Sequence, residues 1–184
     1  QIPYSRRARL HRRAGERLEA ALESTARQRA AELAHHFCEG RDGDRALEYL
    51  EAAAEQALLR SAPREAAAHV RRGLALLKTM PDGPPRQAHE FRLLSMLAPA
   101  VIATEGFAAA EAEASYARAF ELGRRLGAME RAYPVLLGRV FLHELRGEFH
   151  RSEELLGGEL AEVVAEDNPA LMVHADSLLA CSLF

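Results

Sequence analysis

The sequence predicts an all-α chain, a right-handed solenoid of helical hairpins with about nine helices, and three observations carry that prediction. Aromatic residues make up only 6% of the 184 residues and tryptophan is absent, while alanine and leucine abound. That balance favours close helix-on-helix packing over strands of Val, Ile and Tyr. Ala34, Phe37, Ala46, Leu50 and Ala53 follow one another at spacings of three, nine, four and three, so a bulky ring on one helix can fill the gap left by small residues on the next. The four-and-three spacing recurs in Ala66, Val70 and Gly73 and in Tyr116, Phe120 and Gly123, an internal repeat in miniature. With 48% hydrophobic residues, the chain can bury a core without a metal or disulfide staple.

The alternation of small and bulky residues is of the tetratricopeptide type, and each element follows from local signals. Tyr4 to Leu22 reads as a basic amphipathic helix, with Leu10, Ala14, Leu18 and Ala21 or Leu22 on one face and arginines around the rest. A second helix runs from Thr25 to Glu39 and stops in the glycine- and aspartate-rich turn at Gly40 to Gly43, after which Asp44 is expected to cap a third from Arg45 to Arg60. Pro63 opens the fourth helix, its fixed φ and missing N–H being tolerated in a first turn. Three prolines and a glycine between Thr79 and Pro85 break the chain before a fifth helix that buries Phe91, Leu94, Leu97 or Ala98, and Val101, with Pro99 bending its end. Gly106 ends that helix, and a sixth spans Ala109 to Leu126. A seventh, from Glu130 to Leu145, carries Leu137, Gly138 and Phe141 in a small-then-bulky pattern, and Gly147 turns into an eighth from Phe149 to Glu166. There the ladder weakens: Ser152 and Leu156 fit, but Glu159 stands where a small residue is expected, and each of Gly157 and Gly158 costs a helix about 1 kcal/mol. Asn168 as cap and Pro169 as first residue open a ninth helix. Gln1 at the start and the apolar run Leu171 to Leu183 without a stop signal lead us to expect a piece of a longer polypeptide.

The charged and nucleophilic residues point to no catalytic site. The formal net charge is −3, so any contact with nucleic acid has to be local. Lys78 is the only lysine among 24 basic residues and no GxxxxGK[ST] occurs, which leaves no phosphate-cradling P-loop in these residues. His35, His36, Cys38 and Glu39 cluster at a helix end, yet a tetrahedral metal site needs a second pair of ligands at matching spacing. Their ordinary reading is a core Phe37, a packed Cys38 and histidines in a C-terminal turn, where the helix dipole favours imidazolium. His143, Glu144 and His150 bracket the turn at Gly147 without a nucleophile beside them and read as solvated turn residues. The carboxylate pairs Glu111 and Glu113, Glu153 and Glu154, and Glu166 and Asp167 read as solubilising. Cys38 and Cys181 lie far apart in apolar settings, as reduced buried thiols would. Leu93 to Thr104 is too short to span a bilayer, and no apolar h-region follows the first arginines; a soluble, cytoplasmic protein is expected. The sharpest functional signal is the run Arg6, Arg7, Arg9, Arg12, Arg13 and Arg17 with His11 on one helix, which could follow a phosphate backbone. Glu16, Glu19 and Glu23 are expected to supply intrahelical partners for it.

The stretch Ile2-Pro3-Tyr4-Ser5-Arg6-Arg7-Ala8-Arg9-Leu10-His11-Arg12-Arg13, followed by Glu16-Arg17-Leu18-Glu19-Ala20, resembles the junction helix after the nucleotide-binding core of large bacterial signal-transduction ATPases of the STAND type. The likeness continues through Ala31 to Phe37, Ala46 to Leu50, Ala66 to Leu74 and Ala98 to Phe107. The resemblance implies a junction helix over residues 1–24, following an ATPase and winged-helix region, and tetratricopeptide-like repeats over residues 25–184. It implies a non-enzymatic sensor or interaction arm coupling a signal to an upstream ATPase and to an effector such as an adenylate or guanylate cyclase, a kinase or a transcriptional regulator. Its partner would be a protein or peptide, the parent's own ATPase domain among the candidates, with no cofactor, metal, membrane or small-molecule substrate. A nucleic-acid-contacting helical module using Arg6 to Arg17 stands as the alternative. No catalytic, cofactor-binding or metal residue carries over, and the residues of the binding face stay unassigned.

Overall fold

The computed structural model describes residues 3–160, and in them every regular element is helical with no strand. The α-helices are α1 Tyr4–Leu22, α2 Ala30–Glu39, α3 Gly43–Leu59, α4 Pro63–Leu77, α5 Pro84–Glu105, α6 Ala110–Arg125, α7 Met129–Leu145 and α8 Phe149–Leu155. Each packs chiefly on its neighbours in the chain, and the main non-consecutive pair is α3 with α5. No described helix is long and apolar enough to cross a membrane. The ninth helix expected from Asn168 and Pro169, the run Leu171 to Leu183, Cys181, the pair Glu166 and Asp167, and the side chain of Glu159 lie outside the described residues.

The expected second helix starts later than its sequence suggests. Glu23–Arg29 forms a 3-10 segment, and α2 begins only at Ala30. Ser24 and Thr25 compete with the helix ladder through their hydroxyls: Thr25 Oγ1 donates to the Leu22 carbonyl at 2.6 Å. The cap of α3 is also displaced. Asp42, not Asp44, accepts from the Arg45 N–H, at 3.4 Å, which lets Gly43 and Asp44 join the first turn. The prolines behave as their chemistry requires. Pro63 and Pro84 open α4 and α5, while α5 runs on through Pro99 to Glu105.

Four interhelical turns share one hydrogen-bond pattern. After α2, Asp42 N–H donates to the Phe37 carbonyl and Arg41 N–H to that of Cys38; the same six-to-one and five-to-two bonds close the turns at Ser61, Gly127 and Gly147. This is the Schellman arrangement, whose pivot residue sits in the left-handed region. Gly127 and Gly147 adopt it without strain at φ 64 and 74, but Arg41 and Ser61 hold φ 58 and 56 with a β-carbon. Ser61→Gly should therefore raise stability by about 1 kcal/mol and Gly147→Ala lower it by a similar amount. Urea unfolding at constant m-value checks both.

The core divides across α3. Its Ala46, Tyr49, Leu50, Ala52 and Ala53 pack with Ala30, Leu33, Ala34 and Phe37 of α2, whereas Leu47, Ala54 and Ala57 belong to the cluster formed with α4 and α5. All five ladder residues, Ala34, Phe37, Ala46, Leu50 and Ala53, are buried in the first cluster. Phe37 stacks on Tyr49 with centroids 5.6 Å apart. It also fills the space over Gly15 of α1, where a β-carbon would lie 3.1 Å from its ring. The same ring-over-glycine contact joins α6 to α7, with Tyr116 occupying the space over Gly138. The bulky partner of Gly138 is thus Tyr116 rather than Phe141, which is exposed. Leu10, expected on the buried face of α1, is half exposed as well, and Gly15 is the α1 residue that is buried. Ser152 and Leu156 are buried as their positions suggested. The chain widens into a π turn at Leu156–Leu160, where paired glycines weaken the α-helix.

Candidate functional site

Three groups of polar side chains emerge from this packing, and the first is the outer face of α1. Arg6, Arg7, Arg9, Arg12, Arg13 and Arg17 are all exposed. Arg12 reaches Glu16 at 3.3 Å and Asp42, in the turn between α2 and α3, at 3.4 Å. Glu19 does not serve its own helix: it accepts from Tyr49 at 2.6 Å and from Arg45 at 3.2 Å, pinning α1 to α3. Burial, followed by the bond and charge of Glu19, raises the Tyr49 phenol well above its ordinary pKa. Arg6, Arg9, Arg13 and Arg17 are left without a carboxylate partner among the described residues. Steps of three and four residues put them on one stripe of the helix, with the half-exposed Leu10 among them.

The second group lies between α1 and α2. His35 and His36 do not gather Cys38 and Glu39 around a common point. They meet His11 of α1 instead, the three ring centroids standing 5.2, 5.4 and 5.7 Å apart. His11 Nδ1 and His36 Nδ1 are 3.2 Å apart. Among the described residues no three His, Cys, Asp or Glu side chains are arranged to hold a metal ion. Cys38 lines a separate cleft of ≈ 480 Å³ with Arg41, Ala46, Leu76 and Thr79, and burial pushes its thiol pKa up. Sequence reasoning missed His11 because its partners lie a helix away. The available signal was a helix–turn–helix register that sets position 11 against positions 35 and 36.

The third group surrounds His143 at the junction of α6, α7 and α8. The imidazole is buried, with Nδ1 2.7 Å from Glu148 Oε2 and Nε2 3.8 Å from Glu113 Oε1. Its bond to Glu148 holds that carboxyl below the ordinary range, aided by nearby Arg151. Arg146 donates to Glu113 at 2.6 Å and to the carbonyls of Phe107 and Ala109 at 2.6 and 3.2 Å. A cleft of ≈ 430 Å³ opens here between Arg139, Arg151, Glu113 and Glu154. The trio His143, Glu144 and His150 does not converge: His150 points into solvent and pairs with Glu154. Nor is His143 a solvated turn residue. Glu111 and Glu113 likewise do more than solubilise, since Glu111 joins Glu105 in holding Arg71 and so ties α4 to α5 and α6. That bond keeps the Glu111 carboxyl below its ordinary pKa. The cleft can hold charged groups of either sign, and none of its lining residues is a hydroxyl or thiol nucleophile.

Comparison of the chain with family models, with curated proteins and with solved structures finds no match.

Proposed function

We propose that the chain is a non-enzymatic interaction arm, a tetratricopeptide-like right-handed solenoid within a multidomain bacterial signalling ATPase of the cytoplasm. The observation that carries this reading is the repeated build of the stack. One turn geometry recurs at Arg41, Ser61, Gly127 and Gly147, and aromatic rings lie over glycines where α1 meets α2 and α6 meets α7. Units that bury their apolar faces on successive neighbours make extended surfaces suited to receiving a protein or peptide. The arm would rest on the ATPase region or on a partner and transmit a signal by changing which of the two it holds. The test is ATP turnover by the full-length parent with and without residues 1–184, together with capture of partners by the isolated chain. A changed turnover and recovery of the ATPase region are expected. Unchanged turnover with no recovery of that region would sink the reading.

The arginine stripe favours a second reading, a helical module that contacts nucleic acid. Four unpaired guanidinium groups on one face would release counterions from phosphates, so log affinity should fall against log salt with a slope of about −3 to −4 on duplex DNA. Arg6, Arg9, Arg13 and Arg17 changed together to glutamine should abolish that binding in fluorescence anisotropy, and a shallow slope or surviving affinity would count against it.

A further inference from the structure

We propose that His11, His35 and His36 form a pH-operated clasp which holds α1 on α2 when the imidazoles are neutral and releases it when they are protonated. The geometry requires a neutral ring. The 3.2 Å approach of His11 Nδ1 to His36 Nδ1 is a hydrogen bond only while one nitrogen keeps its lone pair; an imidazolium has two N–H donors and no acceptor. Once both rings are charged, two N–H groups face each other and the bond becomes a repulsion. The third ring, His35, lies 5.4 and 5.7 Å from the other two, so full protonation puts three positive charges in one interhelical contact.

The dipole at the C-terminus of α2 favours imidazolium, but the charged side chains around the rings offer little to absorb those charges. The charged residues within four positions of His11 on α1 are all arginines. Arg12 already serves Glu16 and Asp42, while Arg7 lies over the Tyr4 ring. From α2, Glu32 is the carboxylate that acts on His36, and Arg29 holds it in an ion pair. Glu39 follows one turn later. From α3, Arg45 is directed to Glu19 and Asp42. Burial, then the charges of His11 and His35, lower the His36 pKa despite Glu32. The folded state therefore binds fewer protons than the unfolded chain as pH falls below 6.5, and stability drops in that window. The two helices approach closely beside the rings, a β-carbon at Gly40 meeting the Arg12 backbone at 2.8 Å, so repulsion among the rings acts on the α1–α2 contact. The consequence is exposure of the α1 face that packs on α2, joined to the arginine stripe already in solvent.

Hydrogen exchange of the whole chain, followed by mass spectrometry at pH 7.5 and 5.5 and corrected for intrinsic rates, tests the clasp. Protection of residues 8–20 should be partly lost at the lower pH, the direction set by the lowered His36 pKa, while α5 and α6 stay unchanged. His36→Gln should flatten the response. The exposed His35→Gln, which leaves the His11–His36 contact in place, should reduce it, and this second variant decides the matter if the first folds poorly. Equal corrected protection of α1 at the two pH values, or an undiminished fall in His35→Gln, overturns the proposal.

Discussion

Glu51→Ala is expected to lower folding stability by about 3 kcal/mol, the cost of breaking a buried ion pair from one side. Glu51 lies on α3, and only 8% of the residue is exposed. Its carboxylate accepts from Arg92 Nε at 2.8 Å through one oxygen and meets His89 Nδ1 at 2.7 Å through the other. Arg92 Nη2 in turn lies 2.9 Å from the same imidazole nitrogen. Both partners belong to α5, so this cluster spans the main non-consecutive helix pair of the fold. Removing the carboxylate strands a guanidinium and an imidazole beside an apolar wall, which costs more than the pair contributes. Because the Arg92 side chain is 37% exposed, water recovers part of the loss, and the effect stays near the lower end of the range for buried pairs. Glu51→Gln, which keeps an acceptor and the shape, should cost about half as much. The double-mutant cycle of Glu51→Ala with Arg92→Ala should show a coupling above about 1 kcal/mol in urea unfolding. A single-mutant effect below that size would mean that α3 and α5 are held by apolar contact alone.

That cluster also marks where sequence reasoning stops. The ladder Ala34, Phe37, Ala46, Leu50 and Ala53 was readable because hydrophobic burial depends on side-chain size at helical spacing, and spacing is written in the chain. Helix starts at Pro63 and the stops at Gly106 and Gly147 were readable because backbone freedom is a property of single residues. Glu51 was not. Within Leu50-Glu51-Ala52-Ala53-Ala54 its one visible signal was a charge inside an apolar band, and nothing local says that His89 and Arg92 arrive there. The same limit explains His143. With Glu144 and His150 it read as a solvated turn residue, but residues one apart point to different sides of a helix, and the carboxylates that reach it come from Glu113 of α6 and Glu148 of the next turn. Pairing across helices depends on register, and register is set by close contacts between helices whose glycines, at first sight, resemble any others.

Those close contacts make the second large effect. Gly123→Leu should cost about 3 kcal/mol or more, an overpacking penalty at the top of the usual range, and Gly123→Ala about 1–2 kcal/mol after the gain in helix propensity. Gly123 is buried on α6 with helical φ, so no conformational requirement calls for glycine there. Space does. A β-carbon at this position would lie 2.5 Å from the Ala132 β-carbon and 3.4 Å from its α-carbon on α7, and 3.2 Å from the Phe91 ring on α5. The Ala132 atoms are part of, or attached directly to, the backbone and cannot rotate away, so α6 and α7 have to separate. Separation would loosen the Tyr116 ring over Gly138 and carry Glu113 away from His143 and Arg146, because all of these span the same helix pair. Ala132→Gly in the Gly123→Ala background removes the obstructing β-carbon and should restore a large part of the loss, beyond what Ala132→Gly costs alone. If the two changes simply add, the helix crossing is not limited by that contact, and the spacing of α6 and α7 must be set by Tyr116 and Phe91 instead.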